Sequence, residues 1–263
     1  MKILLIGDIV GNAGREAIRK IVPEFRKDRG IDFVIANAEN VAGGSGLTPD
    51  TADELLGSRI DVITSGDHIW KRKEIYDRLK EDYRILRPAN FPESCPGRGS
   101  SVVKSDSGKP VGIINLLGRV FMNPMGCPFK AAERELKAIS QYTNIILVDI
   151  HAEATSEKIA LGRFLDGRVS GVCGTHTHVQ TADEKIFPKG SAFITDLGMT
   201  GPQDSVIGRG VDAVIERFLT SMPLKFDIPD KDIELQGAIV EVNEDSGKSV
   251  SIERVRERIA DYS

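Results

Sequence analysis

The 263 residues contain four histidines, and each follows an apolar run: His68 after VITSGD, His151 after IILVDI, His176 and His178 after VSGVCGT. Three acids and an amide occupy the same kind of place: Asp8 in GDIVG, Glu39 and Asn40 in ANAEN, and Asp67 directly before His68. Read as strand exits, these positions lie where open α/β sheets put their ligand sites. A single acid or histidine in a loop is more often a cap or a solvated charge. Eight such groups at successive strand exits form a constellation. Mixed Asp, Glu and His donors suit first-row divalent ions such as Fe, Mn or Zn. The set is too large for one four-coordinate ion and fits two ions sharing a carboxylate. His176 and His178 bracket one residue, so an extended segment would turn both imidazoles to one side. Two ions about 3.5–4 Å apart clamp an in-line displacement at phosphorus and lower the pKa of a bound water. A histidine beside them, not bound to them, supplies the proton that the leaving oxygen needs.

The elements that must position these groups alternate. Lys2–Gly7, Asp32–Ala36, Ile60–Thr64, Val111–Asn115, Asn144–Asp149, Val169–Cys173, Ala192–Thr195 and Glu234–Val242 read as strands. Tyr83–Leu86 and Ser101–Lys104 are weaker strand candidates. Helical periodicity marks 13–29, 49–56, 71–79, 131–141, 156–164, 212–221 and 252–259. Strands alternating with helices indicate an α/β layered fold. The late strands suggest a second, partly antiparallel sheet built from the tail. No repeat, low-complexity tract or linker breaks the chain, so a single domain over 1–263 is the simplest reading.

Composition narrows the class. Net charge is −4, which argues against a protein whose main task is gripping a nucleic-acid backbone. It leaves room for a small phosphate substrate, because local fields matter more than the sum. The three cysteines, Cys95, Cys127 and Cys173, are far apart and fit a reducing compartment. The start lacks a signal-like apolar stretch, and no run is long enough to span a membrane, so a cytoplasmic location is expected.

The ordered motifs GDIVG, ANAEN, SGDHIW, RPANFP, DIHAEATSEK, GTHTHVQTAD and DLGMTGP resemble the YmdB-like branch of the calcineurin-like metallophosphoesterases. The resemblance implies a sandwich of two mixed β-sheets flanked by helices. It implies a dinuclear centre, usually iron or manganese, and phosphodiesterase activity on cyclic nucleotides, 2′,3′-cyclic ones above all. Homo-oligomers are suggested too; a stable nucleic-acid complex is not. Carried onto this chain, Asp8, Glu39, Asn40 and His178 would hold one ion, and Glu39, Asp67, His151 and His176 the other. Glu39 bridges, the hydroxide attacks in line, and His68 protonates the departing ribose oxygen. A phosphomonoesterase on the same metals, or a regulatory metal- or nucleotide-binding protein with low turnover, are the alternatives.

One departure stands out. The family has GNH where this chain has Gly66-Asp67-His68. With Asn there, two divalent ions against Asp8, Glu39 and a hydroxide leave one positive charge; an ionised Asp67 cancels it. A neutral centre should hold metal more tightly, attract an anionic diester less and acidify bound water less.

Other motifs lead nowhere. Gly7, Gly11 and Gly14 are misspaced for a dinucleotide turn, Gly247-Lys248-Ser249 lacks the earlier glycine of a phosphate loop, and Ser45 lacks the nucleophile-elbow pattern. Gly43, Gly44 and Gly46 read as a mobile loop near Glu39. Trp70 is read as packing, with a wall of the site as the alternative. Arg87 and Asn90 either approach substrate or merely hold a loop, and Lys71–Lys73 form a solvated helix start.

Overall fold

The computed structural model describes residues 1–262. Its strands are β1 (Lys2–Ile6), β2 (Asp8–Ile9), β3 (Phe33–Asn37), β4 (Val62–Thr64), β5 (Ser100–Lys104), β6 (Pro110–Leu117), β7 (Ile146–His151), β8 (Gly171–Thr175), β9 (Lys185–Ile186), β10 (Ala192–Ile194), β11 (Met199–Pro202), β12 (Ile233–Val242) and β13 (Ser249–Arg258). Its α-helices are α1 (Gly11–Arg29), α2 (Pro49–Gly57), α3 (Ile75–Glu81), α4 (Pro128–Ile139), α5 (Thr155–Leu165) and α6 (Val211–Thr220).

The strands form two mixed sheets. One runs β2-β11-β12-β1-β3-β4, with β13 added on β12; the other runs β5-β6-β7-β8-β10-β9. The period of two along each strand builds the layers. In β1, Ile3 and Leu5 face the second sheet and pack with Ile113, Leu147 and Ile194. Leu4 and Ile6 face the other way, onto Ala17, Ile18 and Ile21 of α1. On the far side, Ile114, Leu116 and Val148 meet Ala132, Leu136 and Leu161 of α4 and α5. The result is the expected sandwich of two mixed sheets between helices. Strands β1, β3 and β4 are parallel, as are β6, β7 and β8, so each sheet presents a row of C-terminal ends.

Three expectations are corrected. The second sheet comes from the middle of the chain, because β12 inserts beside β1 and closes the first sheet instead. The stretch 252–259 is not a helix: β13 spans most of it and pairs with β12 from Glu234↔Arg258 to Val242↔Ser249. Ile252, Val255 and Ile259 fall at helical spacing by chance; the first two lie on an edge strand whose remaining positions from 253 to 258 are all charged, and Ile259 lies just past its end. Tyr83–Leu86 forms no strand; Ile85 and Leu86 make only isolated bridges, to Ile63 and Arg98.

Candidate metal centre

All eight predicted residues come together where the two rows of strand ends meet. Gly7 breaks the first strand, and a side chain there would strike the Gly198 carbonyl. That close passage lets Asp8 N–H donate to Gly198 O at 3.0 Å and fixes Asp8 at the sheet edge. Glu39 and Asn40 follow β3, Asp67 and His68 open a 3-10 turn after β4, His151 ends β7, and His176 and His178 follow β8.

Glu39 is the centre. It is buried, and its Oε1 lies 3.3 Å from His151 Nε2, 3.2 Å from His68 Nδ1 and 3.1 Å from Asn40 Nδ2. Its Oε2 accepts the His68 backbone N–H at 3.0 Å. His151 Nε2 also faces His176 Nδ1 at 2.9 Å and Asp67 Oδ1 at 3.5 Å. One ligand atom each from Glu39, Asp67, His151 and His176 lies within 4.8 Å of the others. On the other side of Glu39, His178 Nε2 is 3.2 Å from Asn40 Nδ2 and 3.7 Å from Asp8 Oδ1.

The protons follow from the partners. Thr175 Oγ1 donates its single proton to Asp149 Oδ1 at 2.8 Å, so His151 Nδ1, 3.0 Å away, must donate to that hydroxyl. In the neutral imidazole, the form a cation would bind, His151 Nε2 therefore points its lone pair at the cluster. His178 Nδ1 donates to the Ile207 carbonyl at 3.0 Å, which frees Nε2 toward Asp8. His68 Nδ1 donates to Asn40 Oδ1 at 2.8 Å and leaves its own Nε2 uncommitted. Such outer partners orient metal-binding imidazoles.

Charge is concentrated here. Burial would raise Glu39, but the charge and hydrogen bond of His151 and the neighbouring His68 hold it well below the usual carboxylate range. Burial would neutralise His151, yet Glu39, Asp67 and Asp8 drive it well above the usual imidazole range. The hydrogen bond with Glu39 raises His68 despite its partial burial. Burial and the adjacent His151 lower His176. Asp149, fully enclosed, is pushed up to about 6 by burial.

The donor set fits divalent cations. Buried Asp8 Oδ1 and Asp67 Oδ1 have no hydrogen-bond partner, although buried carboxylate oxygens normally do. Two imidazole nitrogens face one another at hydrogen-bond distance beside three carboxylates. Gly66 leaves open the space between Glu39 and His151; a Cβ there would land on both.

Some details differ from expectation. The His176–His178 segment is not extended: φ is 103° at His176 and 63° at His178, and the imidazoles diverge to opposite sides of Glu39. The bend is imposed by Asp196, whose Oδ2 accepts the Thr177 N–H at 3.1 Å and its hydroxyl at 2.8 Å. The Gly43–Gly46 loop is tied by Ala42 N–H to Gly46 O at 2.9 Å and lies beneath Arg209 and Arg72. Asn90 braces the backbone of Leu117 and Gly126, Arg87 holds the Pro88 and Pro96 carbonyls, and Trp70 packs edge-on against Tyr76 and Phe91. Lys71–Lys73 are solvated, but α3 starts only at Ile75.

Asp149, Thr175, Glu153, Lys158 and Asp196 escaped the sequence reading. The signal for Asp149 was its place two residues before His151, on the same strand face. Glu153 sits 3.1 Å from His176 Nε2. Lys158 and Asp196 form a fully buried ion pair at 2.7 Å beneath the His176–His178 turn. Breaking it strands a buried charge, so Lys158→Ala should cost about 3–5 kcal/mol in urea unfolding. A loss below about 1 kcal/mol would mean the turn is held by other contacts.

The sequence profile of the YmdB-like protein family matches residues 4–255. A Bacillus subtilis protein named 2′,3′-cyclic-nucleotide 2′-phosphodiesterase is 45% identical over 255 residues, covering 97% of this chain and 96% of its own. A crystal structure of a hypothetical protein from Thermus thermophilus superposes with a TM-score of 0.91 at 38% identity, covering 98% and 99% of the two chains. The crystal structure of a Mycoplasma pneumoniae protein described as a novel phosphatase gives a TM-score of 0.91 at 34% identity, covering 98% of this chain and 93% of that one.

Proposed function

We propose that this chain, which belongs to the YmdB-like family, is a metal-dependent phosphodiesterase that opens 2′,3′-cyclic nucleotides at the 2′ oxygen. The observation that carries the reading is the convergence of Glu39, Asp67, His151 and His176 on one point, beside a histidine whose Nε2 is uncommitted. The three cysteines are free, which supports a reducing, cytoplasmic setting. No described helix is long and apolar enough to cross a membrane.

Glu39, Asp67, His151 and His176 would hold one divalent ion, and Asp8, Glu39, Asn40 and His178 a second, with iron or manganese suited to the donors. When bound, the ions supply an activated water nucleophile and neutralise the phosphoryl oxygens. The chain's own residues do the rest. Asp149, through Thr175, keeps His151 Nδ1 protonated and its Nε2 aimed inward. Ile207 does the same for His178. Asn40 steers His68 through Oδ1, and to hold the ion beside Glu39 and His178 it would turn its amide, since Nδ2 faces both of them here. His68 keeps a proton on Nε2 with the help of nearby Glu39, and delivers it to the departing ribose O2′. The product is then a nucleoside 3′-monophosphate.

The test is product analysis on 2′,3′-cyclic AMP. Stoichiometric 3′-AMP with no free phosphate is expected; an unopened cyclic substrate, with free phosphate released from 3′-AMP supplied in its place, would make the protein a phosphomonoesterase instead.

Two substitutions probe the centre. Gly66→Ala puts a methyl group between Glu39 and His151, so Mn²⁺ affinity by calorimetry should fall by at least the ~10-fold seen for disturbed outer shells. Unchanged affinity would place the ion elsewhere. Asp67→Asn removes the extra negative charge that opposes the diester anion. It should raise turnover at saturating metal by on the order of tenfold while weakening metal binding. Faster turnover by the wild type would contradict the charge argument.

A further inference from the structure

Between the turn that carries Ile207 and helix α6 lies an open cavity of about 590 Å³, within the usual range for ligand pockets. Ile207, Val214, Phe218 and Phe226 supply apolar walls, and Arg209 and Arg217 the charge. The cavity adjoins the metal centre. The Ile207 carbonyl holds His178 Nδ1, and Arg209, two residues on, donates to the Gly44 carbonyl, four residues beyond Asn40.

Arg209 is half-buried, and among the described residues no carboxylate lies within ion-pair distance of it. Burial lowers its proton affinity and nothing opposes that effect. Gly44, at φ 84°, leaves the room the guanidinium occupies, since a Cβ there would collide with it. A partly desolvated guanidinium with spare N–H donors and no acid is matched to an anion from outside the chain. A cyclic mononucleotide cannot provide it, because its single charged phosphate belongs at the metal cluster. Phe218, 82% exposed at the cavity mouth, offers a ring face on which a base can stack.

We propose that this cavity binds the nucleotide 5′ to the cyclic one, with its phosphodiester on Arg209 and its base on Phe218. The substrate class is then the 2′,3′-cyclic-phosphate end of a short oligoribonucleotide. The site holds about one nucleotide, which accords with a chain of net charge −4 that has no need of a long backbone track. This inference rests on the phosphodiesterase reading above.

The experiment compares kcat/KM for adenosine 2′,3′-cyclic phosphate and for the dinucleotide ApA ending in a 2′,3′-cyclic phosphate. It also compares binding of 3′-AMP and of ApA 3′-phosphate to the metal-loaded protein. The dinucleotide should be favoured by at least about fivefold in both measurements, the low end for one stacked base. The preference should fall toward unity in Arg209→Gln and shrink in Phe218→Ala. A 5′-phosphorylated cyclic mononucleotide separates the contacts: it should gain from Arg209 and be indifferent to Phe218. Equal turnover and binding of the two lengths, or a preference surviving both substitutions, overturns the subsite and leaves the diesterase reading intact. No turnover of either substrate, with the dinucleotide still bound tighter through Arg209, overturns the diesterase reading and keeps the subsite.

Discussion

Glu39→Gln is expected to abolish turnover and to lower the number of tightly bound ions per chain. The substitution preserves shape, so packing is not the cause. Glu39 sits between the two groups of donors: its Oε1 is 3.3 Å from His151, and Asn40, 3.1 Å from the same oxygen, reaches His178 at 3.2 Å. A carboxylate can offer an oxygen to each of two cations; an amide offers one oxygen and turns N–H donors toward whatever lies on its other side. The loss should exceed the ~10–100-fold penalty typical of outer-shell partners. Elemental analysis after dialysis, beside the initial rate on 2′,3′-cyclic AMP, checks both parts. Full metal content with full activity would mean that Glu39 is not the shared ligand.

His68→Ala separates binding from chemistry. The residue lies at the rim with its side chain one-third exposed, so its removal leaves the packed interior alone. Its Nδ1 is committed to Asn40, and its Nε2 is the proton-bearing atom left to face a substrate. Loss of a positioned general acid typically costs about 10²–10⁴ in kcat. The variant should retain its ions and its affinity for 3′-AMP. It should also recover on a substrate whose leaving oxygen needs no proton, such as an aryl phosphodiester with an acidic phenol. A variant equally slow on both substrates would assign His68 to holding Asn40 and Glu39 in place.

The fold and the centre were legible in the sequence to different depths. Asp8, Glu39, Asn40, Asp67 and the four histidines could be found because strand exits are marked by apolar runs that end abruptly, and each run was correct to within a few residues. The geometry within the centre was not legible. His176 and His178 look like neighbours on a strand, but the bend between them is set by Asp196, which lies 18 residues beyond His178 and is itself neutralised by Lys158. Long-range partners of that kind leave no local period. Asp149 reads as one more strand residue until Thr175 is brought across from the neighbouring strand. Strand β13 was lost because charged residues fill an exposed edge, which erases the alternation that identifies a strand. Arg209 carries no signal at all in the sequence; its role depends on the Gly44 carbonyl beneath it and on the absence of an acid beside it among the described residues.

The most direct measurement is the rate of 2′,3′-cyclic AMP opening by chelator-stripped protein, before and after reloading with Mn²⁺ or, anaerobically, Fe²⁺. The account predicts no turnover from the stripped protein. Reloading should restore 3′-AMP formation in proportion to the metal bound. Turnover that is undiminished after stripping, with both carboxylate–histidine groups demonstrably empty, would contradict it.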